Sequence, residues 1–203
     1  ADWQDPTQWP VSSRKTGTMR RLAEKQGDPT AKDGIVGAFC RIYSIEDAID
    51  TFLSNTYKKG DGGRYTYTGG STSGGLVVYD DGKFAYSHHS TDPICGKLCN
   101  AFDLIRIHLF GKDDEDKPAN TAATNLPSYK NMCKWIEANR PEVMKELQSK
   151  QLDYIVQLFG DNEEDLDMNW VSQLEVNSKT GNAATTVENI RIIVSCLLYT
   201  SDA

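Results

Sequence analysis

The sequence predicts an α+β fold: a small antiparallel sheet with flanking helices, followed by a helical segment. Three local patterns carry that expectation. Leu76–Tyr79 and Lys83–Ser87 are short runs of strand-forming residues on either side of Asp80-Asp81-Gly82, a strong hairpin signal. Ser44 and Asp47 have capping-box spacing, with Asp in place of the usual Glu, ahead of Ile45, Ala48, Ile49, Phe52 and Leu53 at helical spacing. Asn100 is a good N-cap with Asp103 three residues on, and Phe102, Ile105 and Leu109 form one apolar stripe that Leu104 and Ile107 widen.

Taken in order, residues 1–34 read as an irregular arm, because Pro, Trp, Ser and Thr break any periodicity. Within it Arg14, Lys15, Arg20, Arg21 and Lys25 face a single acid, Glu24, and could touch phosphates. A compact α+β module spans 35–111. It begins with the helix Ser44–Leu53, passes a KKGDGGR turn, and continues through a strand at Tyr65–Thr68, a Gly/Ser/Thr-rich loop at Gly69–Gly75, and the hairpin. Gly111 is expected to end the helix that Asn100 starts. An acidic linker follows at 112–125, then a helical segment at 126–160 with helices near Ser128–Ala138 and Pro141–Phe159. Tyr129, Met132, Cys133 and Ile136 share one face of the first of these.

The acidic run Asp161–Asp167 reads as a turn. In the last unit, 161–197, Trp170, Val171 and Leu174 look buried and Lys179-Thr180-Gly181-Asn182 reads as a turn. Thr185 with Glu188 would cap a helix carrying Val187, Ile190, Ile193 and Val194. The chain lacks an initiator Met, and its closing SCLLYTSDA is similar to translated sequencing-adapter read-through. A fragment is therefore expected, with an artefactual tail at 198–203 and little weight on Cys196 onward.

Composition narrows the function classes. The 203 residues allow one or two small domains with a real core. A net charge of −7 and a pI near 5.0 give no overall attraction to nucleic acid, so any such contact must be a local patch. No apolar run is long enough to span a membrane, and ADWQDPTQWP does not read as a signal peptide. Five scattered cysteines favour reduced thiols and a cytoplasmic setting over a disulfide framework.

The chemistry-bearing residues concentrate between Tyr65 and Gly111, where all three histidines and two cysteines lie. His88, His89, Cys95 and Cys99 are potential zinc ligands, but adjacent histidines on a strand point to opposite faces, and Cys-x3-Cys sits at the edge of the usual spacing. The helix after Cys99 could favour a thiolate there. The loop with Gly70, Ser71 and Thr72 lacks the Gly-Lys-Ser/Thr ending of a P-loop, yet its amides could contact a nucleic-acid backbone. His88 or His89 with Asp92 could form a base and its orienter, with Ser87 or Ser90 as nucleophile, although no nucleophile elbow is present. The alternative is a turn begun by Asp92 and Pro93 with local hydrogen bonds from Ser87–Thr91. Tyr65, Tyr67, Tyr79, Phe84 and Tyr86 could stack bases if exposed, or fill the core.

The runs IVGAFCRIYSIEDAIDTFL, YTYTGGSTSGGLVVYDDGKFAYSHHSTDP and GKLCNAFDLIRIHLFG resemble the middle region of phage and prophage replication proteins of the virulence-associated E type, which are primase–helicase-like. WVSQLEVNSKTGNAATTVENIRII resembles the entry to their helicase-like domain, and DPTQWPVSS the stretch before the middle region. The resemblance implies a primase-like domain upstream and an ATPase downstream, with ATP and Mg needed only there. No paired-carboxylate primase motif and no Walker lysine stands in this chain. The order of strands and turns is also similar to the zinc-ribbon module of bacterial primases, without the first ligand pair, which implies that shape without the metal and no cofactor.

The preferred expectation is a non-catalytic DNA-binding or positioning module of a phage-type primase–helicase in the bacterial cytoplasm. Its polar surface would comprise Ser87, His88, His89, Asp92 and the loop with Gly70, Ser71 and Thr72, joined by Arg14, Lys15, Arg20 and Arg21. Its partners would be single-stranded or primer–template DNA and the neighbouring primase and helicase domains, with no membrane. Two alternatives stay open. One is a structural or protein-interaction linker. The other is a zinc module or metal-dependent enzyme built on His88, His89, Cys95 and Cys99.

Overall fold

The computed structural model describes residues 13–71, 73–118, 120–159, 170, 173–177 and 182–199, with the side chains of 13–16, 20, 151–159 and 196–199 outside the description. Its elements are α1 (Ser13–Gln26), α2 (Gly34–Ile42), α3 (Ile45–Phe52), β1 (Tyr57–Lys59), β2 (Arg64–Tyr67), β3 (Leu76–Tyr79), β4 (Phe84–Ser87), β5 (Leu98–Cys99), α4 (Ala101–Phe110), α5 (Pro127–Asn139), α6 (Pro141–Phe159) and α7 (Val187–Tyr199). The five strands form one antiparallel meander in sequence order, so the fold is α+β. Contacts divide the chain into two compact units, Ala1–Lys32 with Phe39–Met132, and Asp33–Ala38 with Cys133–Ala203. The first unit thus runs past Gly111, the expected end of the module.

In the first unit, α3 begins as its sequence dictates. Ser44 Oγ accepts from the Asp47 amide at 3.1 Å, and Asp47 Oδ2 accepts from the Ser44 amide at 3.2 Å, which completes the capping box. The β3–β4 turn reinforces it, since Gly82 O accepts from the Ile45 amide at 2.8 Å. That turn places Asp80 (φ 53°), Asp81 (φ 51°) and Gly82 (φ 87°) in the left-handed region, which Asp tolerates better than bulkier residues and Gly without strain. Register then assigns the faces, because cross-strand partners share a side. Tyr65–Leu76–Ser87 and Val78–Ala85–Cys99 line the inner face, with Tyr57–Tyr67 at its edge. Tyr65, Leu76, Ala85, Ser87 and Cys99 are buried there, together with Ile49 of α3 and Phe102, Leu104 and Ile105 of α4. Phe39 anchors an aromatic cluster, edge-on to Phe102 at 6.0 Å and 4.9 Å from Tyr43.

Several sequence expectations change. Ser13–Gln26 is helical, not irregular: both early prolines precede it, and Gly27 (φ 69°) closes it through its amide to Ala23 O. The KKGDGGR run is not only a turn, because its Lys58 and Lys59 belong to β1 and its Arg64 opens β2. Gly111 follows the last residue of α4, Phe110, and caps it as expected, but not in the left-handed conformation. It has right-handed φ −61° and ψ −26°, and the chain continues through a 3-10 turn to Asp114. Buried Arg106 explains this: Nε donates to Asp103 at 3.0 Å and NH1 donates to Ser128 Oγ at 2.5 Å, while Asp114 accepts the Ser128 amide at 2.9 Å. Leu109, expected in the apolar stripe, is 42% exposed.

In the second unit Ile35, Ala38, Cys133, Ile136, Val143, Leu147 and Leu174 are buried. The cap of α7 falls one residue later than expected. Thr186 Oγ1, not Thr185, accepts from the amide of Asn189, and buried Asn189 bonds the Glu175 and Ala184 backbones. Val187, Ile190 and Val194 lie exposed. Trp170 is half-buried. Val171, the acidic run 161–167 and residues 179–181 of the expected turn lie outside the described residues.

Candidate functional site

The β4–β5 connection is built around Asp92. Its Oδ1 accepts from the Ile94 amide at 3.1 Å, closing an Asx turn that buries Ile94 completely. Asp92 therefore does begin the turn. Its carboxylate is also the centre of a buried polar group drawn from three elements. The Tyr57 hydroxyl of β1 lies 3.0 and 2.9 Å from the two Asp92 oxygens and 2.8 Å from Nε2 of His108 on α4. His108 Nε2 is 3.6 Å from Asp92 Oδ1, and the Asp92 and His108 side chains are 0% and 6% exposed. A phenol has one proton. Donated to an ionised Asp92, it leaves the Tyr57 oxygen to accept from His108 Nε2–H, so the hydroxyl bridges the carboxylate and the imidazole.

Electrostatics agree with this arrangement. Burial pushes the Asp92 carboxyl up, but hydrogen bonds from His108, the Ile94 amide, Ser87 and Tyr57 outweigh it and hold the group below the ordinary aspartate value. Burial, with the adjacent Asp92 charge, pushes the Tyr57 phenol well above its ordinary range. Cys99 is also shifted upward, by burial first and then by Asp103, so its thiol is held protonated, against the expectation of a favoured thiolate.

His89 is the second inward-facing group. It is 5% exposed, its Nδ1 lies 3.0 Å from Thr91 Oγ1, and its ring stands 6.0 Å from that of Tyr67. A Cβ on Gly70 would lie 2.0 Å from His89 Cε1 and Nε2, and one on Gly75 would lie 3.2 Å from His89 Cβ. The glycine-rich loop is therefore a close cover over an imidazole. Thr91 Oγ1 reaches Gly69 O at 3.3 Å, and the Gly74 amide donates to Thr66 Oγ1 at 2.9 Å, so the loop is tied at both ends.

Of the polar residues expected to form one surface, Ser87, His89 and Asp92 are buried, whereas His88 and Ser71 are exposed and Gly70 is half-buried. Period-two geometry sets His88 and His89 on opposite sides. Arg21 is exposed on α1, while Thr72 and the side chains of Arg14, Lys15 and Arg20 lie outside the described residues. Asp92 pairs with Tyr57 and His108. Among the described residues no three His, Cys, Asp or Glu side chains form a group able to hold a metal ion. His88, His89, Cys95 and Cys99 thus do not converge: Cys99 is buried, Cys95 half-buried and His88 exposed.

Sequence reasoning missed Tyr57 and His108. A GDGG turn between Tyr57-Lys-Lys and Arg64-Tyr-Thr-Tyr was a usable hairpin signal for the first. His108 sits four residues after Leu104 and three after Ile105, on the buried side of α4. Among the described residues no helix is long and apolar enough to cross a membrane. Comparison with family models, with curated proteins and with solved structures finds no match to this chain.

Proposed function

We propose that this chain is a non-catalytic DNA-binding or positioning module of a phage-type replication primase–helicase. The observation that supports a non-catalytic role is the closure of the polar residues on one another. Asp92, Tyr57, His108, Ser87 and His89 lie inside the module and hold its turn and loop, where a substrate has no access. Catalytic groups need to reach a reacting atom in a cleft. Asp92 with its partners instead joins β1, the β4–β5 connection and α4 into one stiff body, which suits a part that presents a surface. The sequence resemblance supplies the replication context, in which ATP and Mg belong to the neighbouring primase and helicase domains.

The test is binding of the purified chain to labelled single-stranded, duplex and primer–template DNA at low salt without ATP. The expected outcome is binding to single-stranded or primer–template DNA that weakens as salt rises. No binding to any of the three overturns the DNA reading. A second reading, a protein-interaction linker, is favoured by one observation in the second unit: Val187, Ile190 and Val194 make an exposed apolar stripe on α7, with Val187 84% exposed.

A further inference from the structure

The outer face of the sheet carries a set of residues that lie outside the Asp92 network. Register places Arg64, Val77 and Tyr86 in one cross-strand row, with Lys58 opposite Thr66 beside it and Tyr79 opposite Phe84. His88 continues this face beyond β4, its ring 4.7 Å from that of Tyr86. Arg64, Thr66, Val77, Tyr79 and Tyr86 are half-buried, Lys58 and His88 are exposed, and Phe84 and Leu98, on the α1 side of the face, are buried. None of the strand positions on this face holds a carboxylate, in a chain with net charge −7. Two cations, two phenol rings and an imidazole on one small sheet suit a polyanion whose flat groups can stack.

We infer that this face is a stacking platform for single-stranded DNA, with bases over Tyr79 and Tyr86 and phosphates beside Lys58 and Arg64. It gives the proposed DNA-binding reading a location and rests on that reading. Two strand spacings separate Arg64 from Tyr86, about 10 Å, which corresponds to roughly three nucleotides of stacked strand. The surroundings give the strand a direction. At one end a cleft of about 430 Å³ between α1 and the sheet has Tyr79, Phe84, Leu98 and Met19 on its walls, and Glu24, Asp28 and Asp80 also line it. Asp80 and Asp81 in the β3–β4 turn are exposed at the same end. Carboxylates repel phosphates, so the backbone runs on the Lys58–Arg64 side and away from the β3–β4 turn. The groove of a duplex offers no free base faces to such a sheet, which makes unpaired bases the ligand.

The experiment is anisotropy of a labelled twenty-nucleotide oligothymidylate with the full chain, across a salt series. Tyr86→Ala is expected to weaken binding about tenfold. Arg64→Gln is expected to lower the slope of log affinity against log salt by about 0.7. Asp80→Asn, which keeps a residue tolerant of the left-handed region, is expected to tighten binding two- to threefold at low salt, a gain that misfolding cannot mimic. Wild-type binding that is unchanged in all three variants overturns the platform while the DNA-binding reading stands. Loss of binding in Tyr86→Ala without the Arg64→Gln slope change and the Asp80→Asn gain also overturns it. Absence of wild-type binding removes both.

Discussion

On the inner side of the sheet, Tyr57 meets Asp92 and His108 within 3.0 Å, and His89 presses against Gly70. On the outer side, Tyr79 and Tyr86 stand on neighbouring strands and are half-buried, and His88, just beyond β4, is exposed. Both sides use Tyr and His, yet their environments differ. Inside, the Asp92, Tyr57 and His108 side chains hold one another, and removing one member leaves the others desolvated without compensation. Outside, water can replace any partner that is lost. The same residue types therefore hold the fold together on one side and meet solvent on the other. Polar residue type alone is thus a poor guide to which residues of this module do work.

The difference can be broken most directly at Asp92. Asp92→Ala removes the common acceptor of Tyr57, His108 and the Ile94 amide, and is expected to destabilise the chain by about 3–5 kcal/mol in urea unfolding. Its pH dependence has a defined sign. The carboxyl is held below its ordinary value, so its contribution is complete above that value of 3.8 and is lost as pH falls through the lowered one. Wild-type stability should fall across that acidic window more steeply than that of Asp92→Asn. Equal pH profiles would show that the carboxylate charge is not what the network holds.

The next effect is steric. Gly70→Ala places a methyl group inside the His89 ring and should cost about 1–3 kcal/mol. Thermal melts of Gly70→Ala alone and in a His89→Ala background separate the cause, because the penalty should largely vanish once the ring is gone. Smaller still is a paired comparison of two buried tyrosines. Tyr57→Phe removes a hydroxyl with two close partners, Asp92 and His108, and should cost about 1–2 kcal/mol. Tyr65 is 0% exposed, and among the described residues its hydroxyl has no hydrogen-bond partner; burial, with Glu46, Asp50 and Asp47 nearby, pushes it up to about 12. Tyr65→Phe should therefore be neutral or slightly stabilising. A large loss there would mean that the hydroxyl has a partner, such as an ordered water. The smallest effect belongs to the outer side, where His88→Ala should change stability by less than about 0.5 kcal/mol. A change as large as that of Tyr57→Phe would erase the distinction between the two faces.

How much of this was legible in advance varies with the range of the interaction. The Ser44–Asp47 box, the Asp80-Asp81-Gly82 turn, the Asn100 cap and the helix starting at Pro141 are written in residues within four positions of one another, and the structure forms each of them. The α1 helix had its stop in Gly27, but Pro6 and Pro10 upstream masked it. The candidate site was found as a region and misread as a set of roles. Asp92 sits three and four residues from His89 and His88 along the chain, while its partners are 35 positions away at Tyr57 and 16 away at His108.

The sequence by itself determined where helices and turns begin, because capping and left-handed turn residues act on their immediate neighbours. It also determined that His88 and His89 part to opposite sides, because strand side chains alternate. Which side is inside was decided only by the tertiary structure, through the packing of α3 and α4 on one face of the sheet. That packing desolvates Asp92 and makes Tyr57 and His108 its obligatory partners. It buries Arg106 against Asp114 and Ser128, so that the chain runs on past Gly111. And it leaves Arg64, Tyr79 and Tyr86 on the opposite side, where no local pattern distinguishes a core aromatic from one left to meet a ligand.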